Sequence, residues 1–259
     1  CALSTSGEVY CWGWNAYGAV GDGTTTDQLK PTRVTMPAGV TFTTVAVGGY
    51  HACAFTTTSD VYCWGRNDTG QLGDGTITNS NIPVAVNMPS GVTFTSMSLG
   101  FNDSCALDSS GKIYCWGKHD GVNNTLAPTW VSSYNLLASS STTLNYTSLT
   151  QAHSRYHKCA LDATGNAYCW GRNLEGQLGN GTTTDSAMPV AVNMPAGITF
   201  TSIDVGNFHT CAIGVNASAA KSIWCWGKGT LGQIGYGTYN GNPYETSPRQ
   251  VQLSHITNL

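Results

Sequence analysis

Cys1-Ala2-Leu3-Ser4-Thr5-Ser6-Gly7-Glu8-Val9-Tyr10-Cys11-Trp12-Gly13 is the stretch that decides the fold, because the chain writes it five times with small changes. Copies start at Cys1, Cys53, Cys105, Cys159 and Cys211, in steps of 52, 52, 54 and 52 residues. Each carries a Cys-Trp-Gly, beginning at Cys11, Cys63, Cys115, Cys169 and Cys225. A fixed period of this size marks a stacked array, in which one unit cannot bury its faces alone and its neighbours do so. The units run approximately over 1–52, 53–104, 105–158, 159–210 and 211–259. They fill the chain, which predicts a single domain over 1–259.

Two further elements keep the same phase. Gly70-Gln71-Leu72-Gly73-Asp74-Gly75-Thr76 returns at Gly176–Thr182, with looser versions at Gly18–Thr24 and Gly232–Thr238. Met-Pro-x-Gly-(Val/Ile)-Thr-Phe-Thr begins at Met36, Met88 and Met194. Segments such as Thr44–Val47 and Ser202–Val205 are short, alternating and β-branched, and Gly, Asn or Pro bounds them. No stretch sustains a 3.6-residue stripe. Four short strands per unit in tandem predict an all-β chain, a β-propeller, with the recurrent Trp packing blade on blade. The third unit lacks the Gly-Gln-Leu-Gly element. Its Ser/Thr/Asn-rich run from Ser132 to Thr150 reads as an enlarged surface loop.

Composition narrows the function classes. Charged residues are 10% of the chain and the net charge is −3, so no basic stripe for nucleic acid exists. No apolar run is long enough to span a membrane. The chain starts at Cys1 without Met or a leader, and is read as a mature or trimmed segment.

All ten cysteines lie in the repeat, two per copy, at separations of 10, 10, 10, 10 and 14. Folding the first copy at Ser6-Gly7 brings Cys1 opposite Cys11 on adjacent strands. The longer fifth copy keeps this logic, since its extra residues fall within Gly214–Ser222, at the hairpin tip. The expected pairs are Cys1–Cys11, Cys53–Cys63, Cys105–Cys115, Cys159–Cys169 and Cys211–Cys225. Each short loop contributes roughly 2–3 kcal/mol. The competing reading is metal binding, but cysteines ten apart do not match zinc-ligand spacing, and no fourth ligand recurs. Five bridges imply an oxidising compartment, extracellular or at the cell surface. Six Asn-x-Ser/Thr triplets, at Asn67, Asn102, Asn123, Asn145, Asn180 and Asn216, read either as turn residues or as glycan acceptors. Asn123 and Asn145 are the preferred acceptors.

In this order His209-Thr210-Cys211-Ala212-Ile213, Cys-Trp-Gly-x-Asn, Gly-Gln-Leu-Gly-Asp-Gly-Thr and Pro83-Val84-Ala85-Val86 resemble the regulator of chromosome condensation repeat, over the whole chain. The paired cysteines resemble its exported branch, in bacterial surface proteins and plant receptor ectodomains, rather than its nuclear nucleotide-exchange branch. That resemblance implies a propeller, usually of seven blades, where this chain has five units. The chain begins and stops at nearly the same repeat phase, with Ile256 and Leu259 matching Phe200 and Ile203: either five units close on themselves or the segment is cut from a longer array, and the phase leans to a closed or nearly closed ring.

Catalytic patterns are missing from the sequence. His51, His157 and His209 share one repeat position and read as structural, without the partners a base would need. Asp22–Asp27 and Asp74–Asn79 read as capped turns rather than calcium loops. Trp14, Tyr17, Trp130, Tyr236, Tyr239 and Tyr244 are candidates for a sugar- or protein-binding face, against packing as the simpler role. No metal or cofactor is expected. The leading expectation is a non-enzymatic structural or adhesive unit of an extracellular or cell-surface assembly. Its partners would be proteins or copies of itself, and possibly glycans, with no nucleic acid. A ligand-binding ectodomain or inhibitor is the alternative, and a lyase or hydrolase at a central channel a third.

Overall fold

A computed structural model describes residues 1–118, 124–131, 144–152, 157–236 and 244–252. Among these, every regular element is a β-strand. The first sheet holds β1 (Ala2–Leu3), β2 (Val9–Gly13) and β3 (Gln28–Arg33). The second holds β4 (Phe42–Val47), β5 (His51–Thr56), β6 (Val61–Gly65) and β7 (Ser80–Ala85), and the third β8 (Phe94–Leu99), β9 (Asp103–Asp108), β10 (Ile113–Gly117) and β11 (Thr125–Trp130). The fourth holds β12 (Tyr146–Gln151), β13 (His157–Asp162), β14 (Ala167–Gly171) and β15 (Ser186–Ala191), and the fifth β16 (Thr199–Val205), β17 (His209–Val215), β18 (Lys221–Lys228) and β19 (Tyr244–Gln250). Each is an antiparallel meander in chain order.

Two details differ from the sequence reading. The sheets are offset from the repeat by one strand, because Phe42–Val47 ends the first sequence unit yet opens the second sheet. The run Ser132–Thr150 is not all loop either. Tyr146–Gln151 alternates as Phe42–Val47 does and forms β12, with Tyr146 buried where the other sheets bury Phe42, Phe94 and Phe200. Residues 132–143 of that run lie outside the described residues, as do Ile256 and Leu259.

The recurrent Trp-Gly has a local cause. β6 pairs with β7 through Tyr62↔Ala85 and Cys63↔Val84, then slips before Gly65↔Ser80, so Trp64 sits on a bulge. Gly65 adopts φ +105°, and a Cβ there would lie 2.5 Å from the Tyr50 carbonyl. Only glycine suits that conformation and that approach.

The sheets fall into two compact units, one with the first three sheets and one with the last two. In the first unit Val9, Cys11, Val20 and Val34 of sheet one pack on Phe42, Ala52, Ala54 and Trp64 of sheet two. Sheet two meets sheet three through Leu72, Val86, Phe94 and Trp116 in the same arrangement. In the second unit Leu178 and Val192 of sheet four meet Phe200 and Trp226 of sheet five. Trp64, Trp116 and Trp226 are each 0% exposed and stack on Phe42, Phe94 and Phe200 at 6.0–6.1 Å. Burying each large side chain stabilises the stack by about 1.5–3 kcal/mol.

Candidate binding face

In the first, second and fourth copies the segment after Cys-Trp-Gly is built on one buried asparagine. Asn67 donates Nδ2–H to Asp74 Oδ1 and to the carbonyls of Thr76 and Thr78, while its Oδ1 accepts from Leu72 N–H at 2.9 Å. Asn15 and Asn173 repeat these bonds. Asp22 and Asp74 accept from Thr24 and Thr76, as capped turns do. This asparagine holds the long loop in shape so that its Gly-Gln-Leu-Gly turn can face the next sheet. Sequence reading quoted it inside a motif without assigning that role.

The histidines belong to the same joint. Ser104 Oγ donates to the Gln71 carbonyl at 2.8 Å, so its proton is committed and His51 Nε2–H must donate to Ser104 at 2.8 Å. The second lone pair of the Gln71 carbonyl accepts Trp116 Nε1–H at 2.9 Å. His157, Thr210, Gln177 and Trp226 repeat the network in the second unit. Nδ1 of His51 and of His157 is buried with no hydrogen-bond partner among the described residues. Burial holds both rings neutral, lowering His51 to about 4 against the opposing pull of Asp103, and His157 to about 3 with help from His209 and Lys158. His209 is also lowered by burial, opposed by Asp204. The His51 and His157 imidazoles tie sheet to sheet and are shut off from solvent, whereas His209 is half-buried.

At the same end of the first unit the structure gathers aromatic rings that the sequence left scattered. Trp14 lies 5.1 Å from Tyr17 and 5.0 Å from Tyr50, and Tyr50 lies 4.8 Å from Phe101. Three consecutive sheets thus contribute to one patch. The Arg66 guanidinium covers Tyr17 at 5.2 Å and Tyr50 at 5.8 Å, and pairs with Asp68. Trp14 is 49% exposed at the rim. In the second unit Phe208 lies between Arg172 at 5.6 Å and Lys228 at 5.1 Å. The residue after Cys-Trp-Gly is basic in four of five copies, at Arg66, Lys118, Arg172 and Lys228, a recurrence legible in the sequence but not noticed there. A wide aromatic surface carrying one guanidinium can stack on a partner and orient it.

Trp130 is exposed beside Lys112, whereas Tyr236 is buried under Arg249 at 4.0 Å and cannot form a surface. Tyr244 is half-buried, and Tyr239 lies outside the described residues. All five expected cysteine pairs are bonded, each directly across its hairpin with Cα atoms 4.0–4.1 Å apart. Asn67 is 0% exposed with its amide nitrogen fully engaged, so sugar there is incompatible with the fold. Asn102, 4% exposed, is enclosed as well. Asn145 and Asn216 are exposed, Asn180 is half-buried, and Asn123 lies outside the described residues.

The family model for the regulator of chromosome condensation (RCC1) repeat matches residues 6–55, 59–107 and 164–213, more than half of the chain. The chain belongs to the RCC1 repeat family. A second RCC1 model matches residues 42–71 and 94–122. The ultraviolet-B receptor UVR8 of Arabidopsis thaliana is 30% identical over 238 residues, covering 91% of this chain and 52% of that protein. Human WBSCR16 superposes with a TM-score of 0.77 at 19% identity, over 97% of this chain and 64% of that one. Yeast RCC1 (Prp20), solved with Kap60, gives 0.74 at 23%, over 97% and 59%. The chain spans about half of the plant receptor and about three fifths of the solved neighbours. The RCC1 propeller class expected from the repeat is therefore the fold of this chain. Its sheets show where RCC1 motif residues act, with the Trp and the Gly-Gln-Leu-Gly turn forming the joint between neighbouring sheets.

Proposed function

We propose that the protein is a non-enzymatic RCC1-type binding module of an extracellular or cell-surface setting, which holds a partner protein or further copies of itself in an assembly. The observation that carries this reading is the Trp14–Tyr17–Tyr50–Phe101 patch with Arg66, since Trp, Tyr and Arg dominate the energetics of protein interfaces. Five disulfides support an oxidising compartment. Among the described residues no helix is long and apolar enough to cross a membrane. Burial of the His51 and His157 rings supports a non-catalytic role for them, since a general base must reach its substrate. Asn145 and Asn216 are the exposed positions at which this reading places glycans.

The test is cross-linking of the protein within its native cell-surface or extracellular fraction, followed by contact mapping. Partner cross-links should fall on the segments carrying Trp14, Tyr50 and Arg66. Trp14→Ala with Tyr17→Ala should weaken the isolated complex by about tenfold or more and leave the melting temperature unchanged. Contacts confined to other surfaces, or full affinity in that variant, would contradict the assignment.

A further inference from the structure

Thr69 and Glu175 occupy one position of the repeat, just ahead of the buried glutamines Gln71 and Gln177. In the second unit Gln177 Oε1 accepts from Glu175 N–H at 2.9 Å, and its Nε2–H donates to Glu175 Oε2 at 3.0 Å. Oε1 of the same carboxylate accepts from the Arg172 guanidinium at 2.9 Å. One buried carboxylate thus bridges an amide and a guanidinium.

In the first unit the same frame carries no carboxylate at this place. Gln71 Oε1 accepts from Thr69 N–H at 3.0 Å, which fixes its amide in the orientation of Gln177. Thr69 offers only a hydroxyl, which lies 2.7 Å from that oxygen and 2.8 Å from the Asn102 carbonyl. Gln71 Nε2 and Arg66 Nε are both buried without a hydrogen-bond partner. Unpaired buried donors are costly, and two side by side point to an acceptor from outside the chain. Arg66 takes its counter-charge from Asp68 instead, whose side chain is 50% exposed, where the second unit has Leu174. An ion pair so open to solvent is worth little, and another carboxylate can replace it.

We propose that Gln71 and Arg66 form a carboxylate subsite of the aromatic patch, filled by a Glu or Asp side chain of the partner protein as Glu175 fills its counterpart. The inference rests on the reading of that patch as a partner-binding surface, and it names the chemistry the patch selects. Arg66 belongs to both, since its guanidinium lies 5.2 Å from Tyr17, 5.8 Å from Tyr50 and 6.0 Å from Phe101. The incoming carboxylate would displace Asp68 from Arg66 and accept Gln71 Nε2–H with its other oxygen. Both donors are enclosed, so Arg66 must shift on its rings to admit it. A charge-assisted bond made in that position is strong and little screened by salt.

The experiment follows the Gln71 side-chain amide by NMR in the oxidised protein as N-acetylglutamate amide is added, with N-acetylglutamine amide as the neutral control. The glutamate probe should displace the Gln71 Nε2 signals saturably, and the control should not. Asp68→Asn, which removes the competing carboxylate, should tighten probe binding. Thr69→Glu, which supplies a carboxylate from within as Glu175 does, should raise the melting temperature and weaken probe binding about tenfold or more. Unmoved Gln71 signals, an equal response to the control, or unchanged probe binding in Thr69→Glu overturns the proposal. In the isolated partner complex Thr69→Glu should weaken binding about tenfold as well. Full affinity there, while Trp14→Ala with Tyr17→Ala still weakens the complex, overturns the subsite alone; full affinity in both variants overturns the patch with it.

Discussion

At the scale of single residues, buried polar groups do more specifying than the cysteines that first draw the eye. Asn67 satisfies a backbone N–H and two backbone carbonyls from a position with no access to water. Asn67→Ala strands those groups, and unfolding by denaturant should show a loss of about 2–4 kcal/mol. His51 and His157 predict a pH dependence whose sign follows from linkage. Both stay neutral in the fold down to about pH 4 and 3, whereas unfolded imidazole takes up a proton below its ordinary value of 6.5. The unfolded chain binds more protons in that window, so stability is complete above about pH 6.5 and falls as the solution is acidified. At pH 5 the loss is about 2 kcal/mol per histidine. Denaturation midpoints at pH 7 and pH 5 should differ accordingly, and His51→Gln, which keeps an N–H donor toward Ser104, should shrink the difference.

At the scale of the element, each repeat is a hairpin pinned by its own disulfide, and within each compact unit neighbouring sheets are joined by a Trp on a turn. Removing one bridge, as Cys53→Ser with Cys63→Ser, should cost about 2–3 kcal/mol, read as a lower melting temperature in the oxidised protein. Two glycines separate backbone conformation from packing. Gly91 has φ +72° with open space around its Cβ position, so Gly91→Ala should cost about 1 kcal/mol. Gly73 has φ +71° and would set a Cβ 2.7 Å from the Trp116 indole nitrogen, so Gly73→Ala should cost about 2–4 kcal/mol in the same denaturation assay. Strands, hairpins and cysteine partners were legible in the sequence because they are local and repeat in register. The aromatic patch was not, because Trp14, Tyr50 and Phe101 occupy different repeat positions and meet only when sheets stack. The buried state of Asn67 was hidden for a related reason. An Asn-x-Thr triplet looks the same on a surface turn and inside a loop, and the acceptors that enclose this one come from residues 74–78.

At the scale of the whole molecule, the chain is an RCC1-type propeller protein whose charge is low and whose polar groups serve turns and joints. The proposed function is binding by the aromatic patch rather than turnover. Partner affinity should depend on Trp14 and stay nearly constant as salt is raised, since stacking and apolar burial are screened far less than exposed charge; an affinity that collapses with salt would assign binding to the basic positions instead. The proposed compartment and extracellular role, and the rigidity of each sheet, rest on the sulfur chemistry. Peptide mapping of the native protein under non-reducing conditions tests that foundation most directly. Five bridges are expected, Cys1–Cys11, Cys53–Cys63, Cys105–Cys115, Cys159–Cys169 and Cys211–Cys225, with no free thiol; unreacted cysteines, or bridges between different repeats, would contradict the assignment.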